Sequence, residues 1–226
     1  MANVSAEMVK SLRQRTGAGI VDCKKALEEA GGDEDKAVEV IQKKGLAKAA
    51  KKAGAIAAEG VIHAYIHPGS RVGVLVEVNC QTDFVARNEE FTAFVEEIGL
   101  QIASSAPTHV RRNEVPQADL DAQTAIFRGQ LDEEAKRTGK KKPPKAVEKI
   151  LEGKLNKWLT EVCLEDMELV TREDAITVAK ASEELTVKLG EKVAVRRFVR
   201  YELGEGIEVA KKDLAADVAE TLAKGS

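Results

Sequence analysis

Four valines stand at every second position between residues 72 and 78, and this alternation constrains the fold more than any other feature of the chain. Apolar residues with a period of two are typical of a strand that is buried on one face. Residues 62–66 alternate in the same way, and Pro68 and Gly69, which lie between the two segments, suit the central positions of a type II turn. The sequence therefore predicts a β-hairpin, whose buried face needs helices packed against it.

The segment Thr82–Asn88 joins this hairpin to a helix. Asn88 suits the N-cap position, and the residues after it form an apolar stripe at helical spacing. The stripe consists of Phe91, Phe94, Val95 and Ile98. Two interpretations of the turn remain open. Either Phe84 folds into the core while Asp83 caps a helix, or the turn holds both side chains outward, where they can contact a partner.

Residues 1–45 predict a bundle of three short helices. Ser5 and Asp33 are suited to cap the first and third helices, and glycines interrupt the pattern at residues 17–19, at residues 31–32 and at Gly45. The apolar positions expected to face inward are Met8, Val9, Leu12, Ile20, Cys23, Leu27, Ala37, Val38 and Ile41.

Ile20 has two open interpretations, since it can be buried in that bundle or exposed with Val21 at a helix start. The Lys- and Ala-rich residues 46–58 predict a helical linker from the bundle to the rest of the chain.

Residues 59–204 predict an α+β core, a small antiparallel sheet with helices on one side. Within it, residues 117–162 predict a projecting antiparallel helical hairpin, because the apolar residues from Val147 to Val162 are spaced as in a heptad seam. Residues 193–203 alternate again and predict a third strand.

Two further helices are expected towards the C-terminus. Thr171 and Asp174 resemble a capping box, so a helix is expected to begin there and to end at Gly190. Residues 205–226 predict a tail with a short helix, whose apolar stripe is Leu214, Val218 and Leu222.

The charge and composition exclude several classes of protein. A formal net charge of −3 argues against broad nucleic-acid binding, so the basic runs near residues 43–52 and 140–142 are interpreted as solvated faces. No stretch has the length and apolarity of a membrane span or a secretory signal, which indicates a cytoplasmic protein, or an organelle protein shown without its transit peptide. The three scattered cysteines predict buried or free thiols.

The sequence offers little support for catalysis. Gly17 and Gly19 precede a helix but lack the strand and the remaining motif of a phosphate-binding loop. His63 and His67 have no third ligand at a convincing spacing, so neither a metal nor another cofactor is expected. No nucleophile or acid–base motif stands out, and the chain is therefore interpreted as a non-enzyme.

Two stretches nevertheless resemble the signatures of one family, translation elongation factor Ts. They are RTGAGIVDCKKAL from Arg15 to Leu27 and CQTDFVARN from Cys80 to Asn88. Further similar stretches follow the family's order: GLAKAAKKAG from Gly45, EGVI from Glu59 and RRFVRYELGEGIE from Arg196. The resemblance extends over nearly the whole chain and is least distinctive between residues 117 and 166.

The resemblance implies a guanine nucleotide exchange factor that binds elongation factor Tu with GDP and speeds GDP release. It implies that Thr82, Asp83, Phe84 and Val85 push against the partner's GTPase domain near its magnesium site. It also implies that the N-terminal bundle contacts that domain, at positions Leu12, Arg13, Ile20, Val21 and Lys24.

One departure concerns the hairpin core. Longer members of the family have a second copy of it, whereas this chain has a single hairpin between Val61 and Cys80. Two chains are therefore expected to associate as a homodimer that completes the core, with Cys163 as a possible contact between them.

Two other functions compete with exchange. A bundle of this size also resembles ubiquitin-associated adaptor modules, although an adaptor leaves the Thr82 turn unexplained. A translation-linked RNA-binding protein that uses the lysines of residues 43–52 is the second alternative, and it predicts a steep salt dependence of affinity.

Overall fold

The computed structural model describes residues 4–16, 18–52, 54–140 and 142–207. In those residues eight α-helices and three β-strands follow one another, with short 3₁₀ turns at Arg112–Glu114 and Leu164–Asp166. The order is α1 (Ala6–Thr16), α2 (Ile20–Glu29), α3 (Glu34–Lys52), β1 (Glu59–Ile66), β2 (Val72–Cys80), α4 (Asp83–Ala86), α5 (Glu89–Ser105), α6 (Gln117–Thr138), α7 (Pro144–Val162), α8 (Val178–Leu189) and β3 (Ala194–Glu202).

The three strands form one antiparallel sheet in the order β1-β2-β3. The predicted turn joins β1 to β2, since the Ser70 amide donates to the His67 carbonyl at 2.9 Å and Gly69 has φ +91°. A positive φ at the third position is what a type II turn requires. Helices pack on one face of this sheet, so the predicted α+β class is confirmed.

The main core lies between the sheet and helices α5 and α8. The alternating valines Val74, Val76 and Val78 are buried, as predicted, and the stripe of α5 packs over them. Asn88 caps α5, because its Oδ1 accepts from the Glu90 amide at 2.9 Å. The hairpin pattern and the helix stripe therefore face each other across a single apolar layer.

A β-bulge in β3 changes which residues face the core. The register with β2 shifts between Glu77 and Val78, which leaves Arg196 as the extra residue. Phe198 consequently packs inward, whereas Val199 and Tyr201 are exposed on the outer face. The simple alternation inferred from the sequence missed this reversal.

The N-terminal bundle has its own small core. Its buried residues are Leu12, Cys23, Ala26, Leu27, Ala37 and Ile41. Ser5 and Asp33 cap α1 and α3 as predicted, the latter by accepting from the amides of Asp35 and Lys36 at 3.1 Å. The prediction that Gly45 ends the third helix is wrong, because α3 continues to Lys52.

The helical hairpin of α6 and α7 occupies the predicted residues. Leu131 and Leu151 are buried in it, and Lys154 Nζ lies 5.3 Å from the centre of the Phe127 ring. The helix expected to begin at Thr171 instead begins after Thr177, whose hydroxyl accepts from the Lys180 amide. It ends at Gly190 as predicted.

Three further sequence expectations concern the cysteines, membrane spans and a helix near the C-terminus. Cys23, Cys80 and Cys163 are free and fully buried, so Cys163 has no surface with which to contact a second chain. Within the described part of the chain, no helix is both long and apolar enough to cross a bilayer. The helix predicted around residues 214–222 lies outside the described residues.

Candidate protein-interaction site

The turn after β2 holds a phenylalanine in solvent. Thr82 is the N-cap of the short helix α4, and its hydroxyl accepts from the Val85 amide at 3.4 Å. Val85 and Ala86 pack against the main core, which fixes the back of the turn. Phe84 points away from it and is 83% exposed. The inward-packed interpretation of Phe84 is therefore wrong.

Asp83 is exposed beside Phe84. Its carboxylate lies 3.1 Å from Arg87, four residues later on the same turn. It is not the cap of the helix, since Thr82 occupies that position. An exposed ion pair of this kind contributes little to stability, so Asp83 can exchange Arg87 for a cationic or N–H group of a partner at small cost.

The N-terminal end of the turn is hydrogen-bonded to a segment that is distant in the sequence. Glu191, in the loop between α8 and β3, accepts hydrogen bonds from the Gln81 amide, the Thr82 amide and the Thr82 hydroxyl. Sequence reasoning missed this residue, because 109 positions separate it from Thr82 and no motif connects the two.

The thiol under the turn is structural. Cys80 Sγ donates to the Thr82 carbonyl at 3.1 Å. Burial raises the pKa of this thiol, with a further contribution from the nearby carboxylate of Glu191. A thiol with a raised pKa is a poor nucleophile, so Cys80 supports the turn instead of reacting.

The N-terminal bundle presents a second apolar surface. Ile20 and Val21 begin α2 and are 57% and 65% exposed, which decides the open interpretation of Ile20 in favour of exposure. Arg13 and Lys24 are also exposed. Leu12 is different, because it is completely buried in the bundle core and offers no surface to a partner in this conformation.

An open groove of about 1480 Å³ lies between the bundle and the core, beside the contact of α3 with α8. Gly19 and Asp22 line it at the start of α2. Glu90 lines it at the start of α5, and Gly190 lines it at the end of α8. The bundle and the core therefore both line this groove, whereas Ile20, Val21 and the Thr82–Val85 turn do not. Among the described residues, no group of three or more His, Cys, Asp or Glu side chains is placed to hold a metal ion.

Comparison with known sequences places the chain in one family. A family profile described as Elongation factor TS matches residues 8–205, which include the bundle, the turn and all three strands. The chain belongs to the elongation factor Ts family. It is thereby placed among translation elongation factors.

Proteins named Elongation factor Ts from three bacteria align with almost the whole chain. The one from Myxococcus xanthus is 54% identical over 222 residues, covering 98% of this chain and 99% of its own. The one from Desulforamulus reducens is 53% identical over 219 residues, covering 97% and 98%. The one from Carboxydothermus hydrogenoformans is 51% identical over 216 residues, covering 96% of each. The match over residues 8–205 includes both the bundle and the turn, whereas a resemblance to adaptor modules extends to the bundle alone.

Proposed function

We propose that this chain is a guanine nucleotide exchange factor that binds the GDP complex of elongation factor Tu and promotes GDP release. The observation that carries the proposal is the exposure of Phe84 on a turn anchored at both ends. A large apolar side chain held in water costs free energy unless a partner covers it. The elongation factor Ts family supplies the partner, a protein with a bound nucleotide.

The mechanism requires a coupling between two ligands of elongation factor Tu. If binding of this chain weakens GDP binding, GDP must weaken binding of this chain by the same factor. Phe84 is suited to displace a packed element near the partner's magnesium site, since packed elements move between discrete arrangements. Asp83 is suited to compete for N–H groups there through charge-assisted hydrogen bonds.

The bundle supplies the second contact in this proposal. Arg13, Ile20, Val21 and Lys24 are exposed on it, with Leu12 as internal support for the helix that bears Arg13. Binding energy from this surface holds the complex while the turn acts on the nucleotide site. Exchange therefore needs no nucleotide site, cofactor or catalytic group on this chain, which acts through protein contacts and not as an enzyme.

A stopped-flow measurement of fluorescent GDP leaving elongation factor Tu tests the function. Saturating protein is expected to raise the release rate by orders of magnitude, and Phe84→Ala is expected to abolish most of that rise. Release that stays unaltered at saturating protein contradicts exchange activity. The RNA-binding alternative relies on the lysines of residues 43–52, of which Lys43 and Lys44 pair with Glu39 and Glu29, and this lowers the charge available to a phosphate backbone.

We further propose that two chains associate through the outer face of the sheet. This face carries apolar residues from all three strands, and in a single chain these side chains are exposed to water. They are Ile62, Ile66, Leu75, Val199 and Tyr201. An apolar sheet face is the arrangement that a second, identical sheet can cover with twofold symmetry. The dimer belongs in the cytoplasm, where translation takes place in bacteria such as those of its relatives.

A further inference from the structure

We propose that Glu191 is a positioning residue for exchange, which holds the Thr82–Val85 turn rigid while Phe84 is pressed against elongation factor Tu. The inference rests on the proposed function. Glu191 does not touch the partner in this proposal, and it acts only through the turn.

Both carboxylate oxygens of Glu191 are used in the contact. Oε2 accepts from the amides of Gln81 and Thr82 at 3.2 and 2.9 Å, and Oε1 accepts from the Thr82 hydroxyl at 2.8 Å. The Thr82 hydroxyl in turn accepts from the Val85 amide. A charged acceptor makes stronger hydrogen bonds than a neutral one, so a single side chain fixes the entry to the turn.

The next residue adds a parallel connection. The Lys192 amide donates to Gln81 Oε1 at 3.1 Å, and Lys192 Nζ donates to the Ala55 carbonyl at 3.2 Å. Ala55 lies in the segment that leads from the bundle into β1. The loop of Glu191 and Lys192 therefore binds both the turn and the connection to the bundle.

Glu191 is itself held by a well-anchored helix end. It follows Gly190, which ends α8 in the left-handed conformation. One turn earlier, Lys188 lies 2.7 Å from Glu90 at the start of α5, and Val187 packs against Gly45 of the bundle. The end of α8 thus contacts the elements on both sides of the groove.

The rigidity of the turn decides whether Phe84 can act on the partner. Phe84 can displace a partner element only if the turn behind it does not yield, because a mobile turn would relax before the partner does. Val85 packs the turn against the core, and Glu191 holds the N-terminal end of the turn. Loss of the Glu191 carboxylate leaves Phe84 present but free to move, so binding is retained and the maximal acceleration falls.

The test compares Glu191→Ala, Glu191→Gln and Glu161→Ala in the GDP-release assay, at protein concentrations that define both the maximal rate and the half-saturating concentration. Glu161 is a matched control, an exposed glutamate on the helical hairpin with a 3.9 Å contact to Lys157. Glu191→Ala is expected to lower the maximal rate about tenfold while changing half-saturation by less than about twofold. Glu191→Gln keeps an acceptor and is expected to stay within about threefold of the unaltered chain. Glu161→Ala is expected to change neither quantity.

Hydrogen exchange supplies a second readout on the free chain. Glu191→Ala is expected to speed amide exchange in residues 81–85 and to leave residues 20–29 of the bundle unchanged. Normal maximal acceleration by Glu191→Ala would overturn the inference, as would unchanged exchange in residues 81–85. Failure of the unaltered chain to accelerate release contradicts the proposed function instead, and the exchange measurement still decides whether Glu191 holds the turn.

Discussion

Gly45 of α3 and Val187 of α8 cross so closely that a Cβ atom at position 45 would lie 2.9 Å from Val187 Cγ1. Glycine is therefore favoured at this position by the helix crossing, since a larger residue would force Val187 to shift, although glycine costs helix stability relative to alanine. The crossing seats the N-terminal bundle directly on the core. It also explains why a glycine that the sequence suggested as a helix end lies in the interior of a helix.

Gly45→Ala is expected to stabilise the chain less than Gly153→Ala does. A Cβ atom at position 153, in α7, would meet no other atom within 4 Å, so alanine there should add about 0.5–1 kcal/mol to the free energy of unfolding. At position 45 the clash with Val187 offsets that gain. Adding Val187→Ala to Gly45→Ala should relieve the clash, and urea unfolding of the single and double variants measures it. A gain for Gly45→Ala equal to that for Gly153→Ala contradicts the close crossing.

Phe84→Ala and Phe91→Ala are expected to separate function from stability. Phe84 is exposed, so its loss should change the free energy of unfolding by less than about 0.5 kcal/mol while GDP release loses its acceleration. Phe91 is fully buried in the main core, and its loss should cost about 3–5 kcal/mol. Urea unfolding and the release assay, run on the same samples, check both. A large destabilisation by Phe84→Ala would show that this side chain packs inward in solution.

Local chemistry explains which parts of this fold could be predicted from the sequence. The Pro68–Gly69 turn, the valine alternation and the Asn88 cap depend on neighbouring residues, and each was predicted correctly. The start of α8 was misplaced because Thr171 and Thr177 are both suitable caps, and only packing selects between them. Such choices depend on tertiary contacts that no short pattern contains.

The candidate site also combines features that neighbouring residues predict with features that depend on tertiary contacts. Exposure of Phe84 was one of two interpretations that residue types allowed, and the choice depends on tertiary packing, in which Val85 and not Phe84 contacts the core. The outward turn of Val199 and Tyr201 follows from a bulge at Arg196, which shifts the alternation by one residue. Glu191 could not be found from spacing, because its partners Gln81 and Thr82 lie 110 and 109 positions away in the sequence.

Leu75→Lys is expected to convert a dimer into a monomer. Leu75 is 47% exposed on the outer sheet face, where the strand register places it between Ala64 and Val199. A buried ammonium at the centre of the proposed interface would lose its hydration without gaining a partner. Ile126→Lys, at a comparably exposed position on the helical hairpin, is the control and should remain dimeric. Sedimentation velocity measures both, and a monomeric mass for the unaltered chain would contradict the dimer.

Glu77 should make stability depend on pH in the acid range. Hydrogen bonds from Arg196 and then Arg197, which the bulge brings together, lower the pKa of this carboxyl from 4.5 to about 2. A lowered pKa stabilises the folded chain above the unfolded-state value of 4.5, and this stabilisation is lost as the pH falls from there towards 2.

The measurement for Glu77 is urea unfolding of the unaltered chain and Glu77→Gln between pH 7 and pH 3. At one protein concentration, the unaltered chain is expected to be the more stable at pH 7, and the difference should shrink below about pH 4.5. Glu161→Gln should leave the pH dependence unchanged. A difference for Glu77→Gln that is constant across this range would refute the charge-based explanation.

Replacing Ile20 and Val21 together by serine is expected to weaken binding to elongation factor Tu without weakening the fold. Both side chains are more than half exposed at the start of α2, whereas Cys23 and Leu27 of the same helix form the bundle core. Their loss should raise the half-saturating concentration in the release assay at least about tenfold, since two apolar contacts of about 1 kcal/mol or more each are removed. The maximal rate should change little, because the Thr82 turn and its Glu191 clamp are intact. Leu27→Ser, in contrast, should unfold the bundle. A normal half-saturating concentration for the double variant would show that this surface does not meet the partner.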